Sequence, residues 1–359
     1  MRLAGICGRL ATLAAALLLS ATTAGAAEPL KVGFVYVGPI GDHGWTYRHD
    51  VGRRAVEAAL GDKVKTTYVE SVKEGPDAER VIQQLVASGH KLVFTTSFGF
   101  MNPTAKVAGR SGQARFEHAT GYKRAKNLST YMARFYEGRY VAGVIAGKMS
   151  KSGVVGYVAS FPIPEVVRGI NSFMLGARTI NPEMAIKVVW ANTWYDPGKE
   201  ADAAKALIDQ GADIITQHTD SPGPLQVAEN RGVKGFGQAS DMIAFAPKAQ
   251  LTAIIDDWDD YYVARAKAVL DGNWSSTDTW GGFDTGMVKM APFTNMPDDV
   301  AALAAEAVAK ITSGELHPFQ GPIRNQAGEE VVKAGQRLDD AALLSMDWYV
   351  EGVEGKLPK

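Results

Sequence analysis

Short apolar runs alternate with helical segments along most of this 359-residue chain, and no other feature constrains the fold as strongly. Apolar runs at 32–37, 64–69 and 92–96 are separated by two helical segments, one over 46–60 and one that begins at Pro76. The second helix has a single apolar face, formed by Ala78, Val81, Ile82, Leu85 and Val86. Strands joined through helices by short loops predict a parallel sheet covered on both faces.

The same pattern restarts after about residue 150. Four apolar runs alternate there with three helical segments: runs at 154–158, 186–190, 213–217 and 234–237, and helices at 166–178, 199–209 and 225–230. Further elements follow: a strand and a long helix within 251–270, a strand at 286–290 and a helix at 300–311. The tail from Phe319 looks irregular, apart from a hairpin expected around residues 326–328.

Two such halves predict an α/β protein with two doubly wound parallel-sheet lobes that face each other across a ligand cleft. Ligands of open α/β sheets bind beyond the carboxyl ends of the strands, and two facing lobes are expected to close over the ligand. The expected division of the chain is a signal peptide over 1–26, lobe 1 over 27–127 and 245–280, lobe 2 over 128–244 and 281–345, and a tail over 346–359.

The N-terminus has the pattern of a secretory signal peptide. Arg2 and Arg9 precede an apolar run over 10–19, and Ala24-Gly25-Ala26 forms an A-x-A cleavage pattern. The apolar run is too short to span a membrane. Cys7, the only cysteine, precedes this run, where no lipid-modification site is expected. The sequence therefore predicts an unlipidated periplasmic protein without disulfides.

Composition and motifs exclude several classes of function. The formal net charge is −1, and loss of Arg2 and Arg9 makes it −3, so neither nucleic acid nor an anionic membrane is a favoured partner. The chain lacks the G-x-S-x-G, H-E-x-x-H and Walker motifs, and its six histidines lack metal-ligand spacing. We therefore expect a binding protein rather than an enzyme, with no metal or cofactor.

Aromatic, acidic and amide residues follow the predicted strands, where the cleft is expected. Rings can stack on a flat ligand, and acids and amides can bond to the donors and acceptors along its edge. The predicted ligand-binding residues are Tyr36, Asp42, Trp45, Phe98, Phe100, Asn102, Asp220, Gln238 and Asp241.

Structural alternatives exist for some of these residues. Trp45 could pack a helix N-terminus against the sheet, and Asp42 and Asp241 could cap the segments that follow them. Phe98 and Phe100 are two positions apart, and we expect one of them to face the cleft while the other lies in the core.

Several stretches resemble the basic membrane protein (BMP) family of ABC-transporter substrate-binding proteins, whose best-understood members bind purine nucleosides. They are Gly41 to Trp45, Phe98 to Phe100, Tyr136 to Met149, Gly153 to Gly156 with Arg168-Gly169, and Gln210 to Asp213. The resemblance implies a type I periplasmic binding protein that delivers a small molecule to an ABC-transporter permease and holds a purine between aromatic rings. Capture proteins with this layout are commonly monomeric, so we expect a monomer.

Departures from the family pattern concern the ligand. Trp45 stands where the family usually has a stacking Phe, and Tyr36 where it has a base-reading Asp. Nucleoside binders hold the ribose with an Asp and a Lys, at positions that correspond here to Ala239 and to the vicinity of Asp256. Because unpaired buried hydroxyls are costly, these changes favour a free nucleobase such as adenine over a nucleoside.

Three alternatives stay open from the sequence. A type I sugar-binding protein would also use aromatics and acids, with Arg168 as the candidate cationic contact. An exported nucleoside hydrolase would need clustered carboxylates in the cleft, and the sequence offers Asp220 and Asp241 but no cluster motif. A ligand-sensing partner of a membrane receptor would share the same binding site.

Overall fold

The computed structural model describes residues 28–358, so the predicted signal peptide and Cys7 lie outside the described residues. The strands are β1 (Leu30–Val35), β2 (Val64–Val69), β3 (Leu92–Thr95), β4 (Arg115–Ala119), β5 (Leu128–Ala133), β6 (Val154–Ala159), β7 (Ala185–Trp190), β8 (Ile214–His218), β9 (Lys234–Gly237), β10 (Gln250–Asp256), β11 (Asp278–Gly281), β12 (Val288–Met290), β13 (Ile323–Arg324), β14 (Glu330–Val332) and β15 (Val353–Glu354).

The helices alternate with these strands. They are α1 (Gly44–Leu60), α2 (Pro76–Ala87), α3 (Met101–Ala108), α4 (Phe135–Met149), α5 (Pro164–Arg178), α6 (Pro197–Asp209), α7 (Gly223–Arg231), α8 (Asp259–Leu270), α9 (Asp298–Thr312) and α10 (Asp340–Leu344). None of the helices within residues 28–358 combines the length and apolar character needed to cross a bilayer.

The first lobe is built on a six-stranded sheet in the order β11-β5-β4-β3-β1-β2, and every pairing in it is parallel. Helices cover both faces. Val56 of α1 and Tyr262 of α8 pack on one side of the sheet, and Leu85 of α2 and Val107 of α3 pack on the other. This arrangement follows from strands that are apolar on both faces and therefore need two helical layers.

The second lobe is built on a seven-stranded sheet in the order β12-β10-β9-β8-β6-β7-β15. Only the edge strand β12 runs antiparallel to its neighbour. One face of this sheet packs against α4, α5 and α9, and the other packs against α6 and α7. Two parallel-sheet lobes covered by helices confirm the predicted fold class. The antiparallel pair β13–β14 flanks the hairpin predicted around 326–328.

The predicted lobe boundaries are wrong at three places. Strand β5 belongs to the first sheet, whereas the predicted boundaries place residues 128–133 in lobe 2. Strand β10 belongs to the second sheet, whereas they place residues 250–256 in lobe 1. The tail over 346–359 contributes β15 to the second sheet. Both β5 and β10 are almost entirely buried, so their local pattern does not reveal which sheet they join. The chain therefore changes lobe after Ala133, Asp256 and Gly281.

Helices α4 and α5 pack closely, which explains the glycines in the Tyr136 to Met149 stretch. A Cβ added at Gly143 would lie 2.9 Å from the carbonyl carbon of Phe173, and one added at Gly176 would lie 2.9 Å from that of Tyr140. Backbones that approach this closely leave no space for a side chain. The stretch that carries the family resemblance thus encodes the packing of the second lobe.

Candidate functional site

A cavity with about 470 Å³ of empty space, part of it open to solvent, lies between the lobes, and we call it the interlobe cavity. Its walls come from both sheets. The first lobe contributes Val37, Trp45, Ser97, Phe98 and Thr120, and the second contributes Glu165, Trp194, His218, Thr219, Asp220 and Gln238.

Most of these residues stand at or just beyond the carboxyl end of a parallel strand. Val37 follows β1, Ser97 follows β3 and Thr120 follows β4, whereas His218 ends β8 and Gln238 follows β9. Parallel strands end at one edge of a sheet, so each lobe presents such residues along a single edge. The position of the cavity therefore follows from the topology of both lobes.

Trp45 is held in one orientation by its surroundings. Its indole N–H donates a hydrogen bond to the carbonyl oxygen of Thr96 at 2.7 Å. Its ring meets His49 edge-to-face at a centroid distance of 4.4 Å and Trp258 at 5.7 Å. The His49 ring in turn stacks on Trp258 and bonds through Nδ1 to the hydroxyl of Tyr262 at 2.5 Å. A ring fixed in this way loses little side-chain freedom when a ligand binds.

The other two aromatic rings of the cavity come from opposite lobes. Phe98 of the first lobe packs against Tyr122 at 5.6 Å, and Trp194 of the second packs against Phe161 at 5.0 Å. All three cavity rings are partly exposed. The cavity thus has apolar, planar surfaces on both sides, which suits a flat ring system.

A hydrogen bond joins the lobes beside these rings. The indole N–H of Trp194 donates to Glu74 of the first lobe at 3.1 Å. The same carboxylate oxygen accepts from the Ser97 hydroxyl at 2.6 Å and from the Gly99 backbone N–H at 3.0 Å. Glu74 therefore connects the Phe98 turn to the second lobe.

The N-terminus of α1 makes a second contact between the lobes. The preceding residue, His43, gives no side-chain cap. Instead, the backbone N–H of Gly44 donates to the Ser240 hydroxyl at 2.7 Å, and the N–H of Trp45 donates to the Asp220 carboxylate. The first N–H groups of a helix lack partners within the helix. Residues of the second lobe therefore cap the helix that carries Trp45.

Gly44 permits this contact. Its φ is +80°, and a Cβ at this position would lie 2.7 Å from the backbone carbonyl oxygen of Asp220. Residues other than glycine are strained in this region of φ, and the second lobe leaves no space for a side chain.

The carboxylate of Asp220 is buried at this contact, and burial changes its pKa. Burial raises the pKa of Asp220 to about 7 from its ordinary value of 3.8, although the N–H groups of Trp45 and Thr46 act in the opposite direction. The folded protein therefore binds more protons at this site than the unfolded chain between those two pH values. Its contribution to stability decreases as the pH rises towards 7.

An Asp220→Asn variant should gain stability relative to the wild type as the pH is raised from 5 to 8, because the amide keeps the acceptor oxygen without the buried charge. Urea unfolding of both proteins at several pH values measures this difference. Stability curves that run parallel over that range would show that Asp220 does not titrate as described.

The side-chain amide of Gln238 is oriented by a buried arginine. Its oxygen accepts a hydrogen bond from Arg139, which is fully buried and also bonds to Thr216 Oγ1 at 3.0 Å and Gln217 O at 2.6 Å. An amide has its acceptor on one side and its two donors on the other. Because Gln238 lines the cavity and its oxygen is engaged by Arg139, its NH₂ group is the part of the amide available to a ligand.

Three further polar atoms of the cavity walls are buried and have no hydrogen-bond partner among residues 28–358. They are the hydroxyls of Thr120 and Thr219 and Nδ1 of His218. Burial, reinforced by the charges of Arg139 and Arg168, lowers the pKa of His218 well below its ordinary value, so the ring is neutral. Unpaired buried polar atoms are costly, and a polar ligand edge would satisfy them.

Four of the predicted ligand residues line the cavity: Trp45, Phe98, Asp220 and Gln238. No cluster of His, Cys, Asp or Glu within residues 28–358 has a metal-binding arrangement.

The remaining five do not line it. Tyr36 is fully buried, with its hydroxyl 3.4 Å from Asp50, and Phe100 is fully buried in the core between α2, α3 and the sheet. Asn102 is exposed and accepts from Lys123. The exposed Asp42 pairs with His43, and Asp241 accepts from Ile243 N and Gln250, which closes a local turn. Tyr36 points away from the cavity because side chains alternate along the extended chain, and its neighbour Val37 faces the cavity instead.

Several wall residues were absent from the predicted set. Trp194 follows β7, His218 ends β8 and Thr219 follows it, so their strand-end positions are the signal in the sequence that could have identified them. Glu165 lies in the first turn of α5, one position before the predicted start of that helix. Thr120 follows β4, a strand that the apolar pattern did not indicate.

The chain is similar to substrate-binding proteins of ABC transporters. The model of the Bmp family, described as ABC transporter substrate-binding protein PnrA-like, matches residues 30–317. A purine-binding protein of Brucella abortus (strain 2308) is 64% identical over 334 residues, which cover 93% of this chain and 95% of that protein. A putative ABC transporter glucose-binding protein of Haloferax volcanii is 38% identical, over 92% of this chain and 82% of its own length.

Solved structures share the fold at low identity. A solute-binding protein of an ABC transporter system from Aeropyrum pernix K1 superimposes with a TM-score of 0.72 at 19% identity, over 82% of this chain and 94% of its own. A transcriptional activator of the comK gene from Bacillus halodurans superimposes with a TM-score of 0.67 at 24% identity, over 80% of this chain and 99% of its own. These similarities concern the fold alone.

Proposed function

Because the chain belongs to the Bmp family of PnrA-like ABC transporter substrate-binding proteins, we propose that it captures a free purine base, adenine first, by stacking it between the two lobes. The observation that carries this proposal is the cavity itself, whose walls include Trp45 and Phe98 of the first lobe and Trp194 of the second. The purine-binding relative supports the ligand class. The family consists of solute-binding proteins, so the chain is not an enzyme and the nucleoside-hydrolase alternative is wrong.

The preference for a base over a nucleoside is supported by what the walls lack. Ala239 and Asp256, at the expected ribose-binding positions, are fully buried and do not line the cavity. Among the residues that the structure describes, no Lys or Arg lines it either. A ribose would therefore find neither of the charged partners that the family resemblance implies for nucleoside binders.

A sugar is the second candidate ligand, because the relative from Haloferax volcanii is named as a putative glucose-binding protein. The cationic contact expected for that function was Arg168. This side chain is fully buried, stands over the ring of Trp280 at 5.2 Å and does not line the cavity. That placement favours the purine.

The mechanism that we propose is capture followed by closure. The ligand would stack on Trp45 in the first lobe, and the second lobe would then bring Asp220 and Ser240 to the N-terminus of α1 and Trp194 to Glu74. The closed form would deliver the base to an ABC permease in the inner membrane. We further propose that the protein is exported to the periplasm through a cleaved signal peptide, is not lipidated and acts as a monomer.

Isothermal titration of protein that has been unfolded, freed of ligand and refolded tests the proposal. The panel is adenine, guanine, hypoxanthine, adenosine, inosine, ribose and glucose. We expect the bases to bind more tightly than the nucleosides, and the two sugars not to bind. Tighter binding of nucleosides, or of glucose, would reject the proposed ligand.

A further inference from the structure

We infer that Glu165 and Gln238 together recognise the N9–H and N3 edge of a free purine, with Glu165 as acceptor and Gln238 as donor, and that this pair excludes N9-substituted purines. The inference rests on the proposed function and extends it from a ligand class to the ring edge that determines selectivity. No predicted ligand residue other than Gln238 is involved.

Glu165 contributes a carboxylate to the wall of the interlobe cavity. Its side chain lines the cavity from the first turn of α5, directly after Pro164. Within residues 28–358 its carboxylate accepts no hydrogen bond and forms no ion pair at contact distance. Burial raises its pKa, against the opposing charges of Arg168 and Arg139. The residue is half-buried in the cavity wall, so a bound molecule that supplies an N–H to this carboxylate is stabilised there.

Gln238 supplies the complementary group on the same wall. Its oxygen is engaged by Arg139, which leaves its NH₂ group for the cavity. Arg139 is also one of the two arginines whose charge acts on Glu165. Glu165 and Gln238 both line the interlobe cavity from the second lobe, so they offer an acceptor and a donor to the same space.

A free purine matches such a pair. N9–H is a donor and N3, on the neighbouring carbon, is an acceptor, and this edge is shared by adenine, guanine and hypoxanthine. In a nucleoside N9 carries the sugar, so the donor is lost and the acceptor is crowded. Recognition of this edge would accept purine bases whatever their substituent at C6 and reject nucleosides, because the Glu165 carboxylate would remain unpaired.

The test compares adenine with 9-methyladenine, which removes the donor and adds only a methyl group. Wild-type protein should bind adenine about 10- to 100-fold more tightly, as expected for a hydrogen bond to a charged group. Glu165→Gln should weaken adenine binding by a similar factor and change 9-methyladenine binding much less. Thr219→Val serves as the control, since it alters a wall residue outside the pair and should affect both ligands alike.

Equal binding of the two ligands by the wild type would overturn the inference, and so would an equal loss for both in Glu165→Gln. The wild-type comparison needs no variant and stays decisive if a variant does not fold. Failure of the proposed function would look different. Adenine would then not bind at all, or would bind more weakly than adenosine or glucose.

Discussion

Gly44→Ala should weaken binding of the proposed base by about 100-fold or more, because the new methyl group would keep the two lobes from closing at this contact. The methyl group would meet both the carboxylate and the backbone carbonyl of Asp220. It would disrupt the contacts through which the second lobe caps α1. The lobes themselves should still fold, since the obstruction lies between them.

Titration calorimetry with adenine, together with thermal unfolding, measures the effect. Gly41→Ala is the matched control. Gly41 also has a positive φ, of +53°, but a Cβ there would lie 3.7 Å from the nearest atom, in His43 of the same loop. Gly41→Ala should therefore lower stability slightly and leave affinity nearly unchanged. Affinity that is equally reduced in both variants would assign the effect to loop strain instead of lobe closure.

Trp45→Ala should reduce affinity by about 1–3 kcal/mol, the range expected for an aromatic residue at the centre of a binding site. The variant removes the ring on which the base is proposed to stack, together with its hydrogen bond to Thr96. Trp45→Phe keeps a ring and loses that bond, so it should retain most of the affinity.

Calorimetry on both variants, with circular dichroism to verify folding, distinguishes stacking from general packing. Full affinity in Trp45→Ala would mean that the ligand lies elsewhere. An equal loss in Trp45→Phe and Trp45→Ala would mean that the hydrogen bond to Thr96, and not the ring, is what matters.

The sequence predicts the sheets well where strands are apolar, and poorly where they are not. Strand β4 lacks an apolar run because it contains Arg115, Glu117 and His118. Glu117 is fully buried, yet it bonds to Arg265, Tyr261 and Trp274, and His118 bonds to Thr95. Buried polar residues with partners far along the chain remove the pattern on which prediction depends.

The residues of the candidate site could also be predicted only in part from the sequence. The rule that ligands bind at strand ends located Trp45, Phe98, Asp220 and Gln238, but it could not decide between Tyr36 and Val37, which differ only in the face to which they point. Nor could it reveal that Asp220 and Ser240 cap α1, because Ser240 is 196 residues from Gly44 along the chain and Asp220 is 175 residues from Trp45. Such contacts depend on how two lobes meet.

The most direct test of the central claim is a crystal structure of the protein with adenine. We expect planar density in the interlobe cavity, parallel to the indole of Trp45 and in contact with Phe98 and Trp194. Density for the base at any other position, or an adenine that touches none of these three rings, would contradict the account.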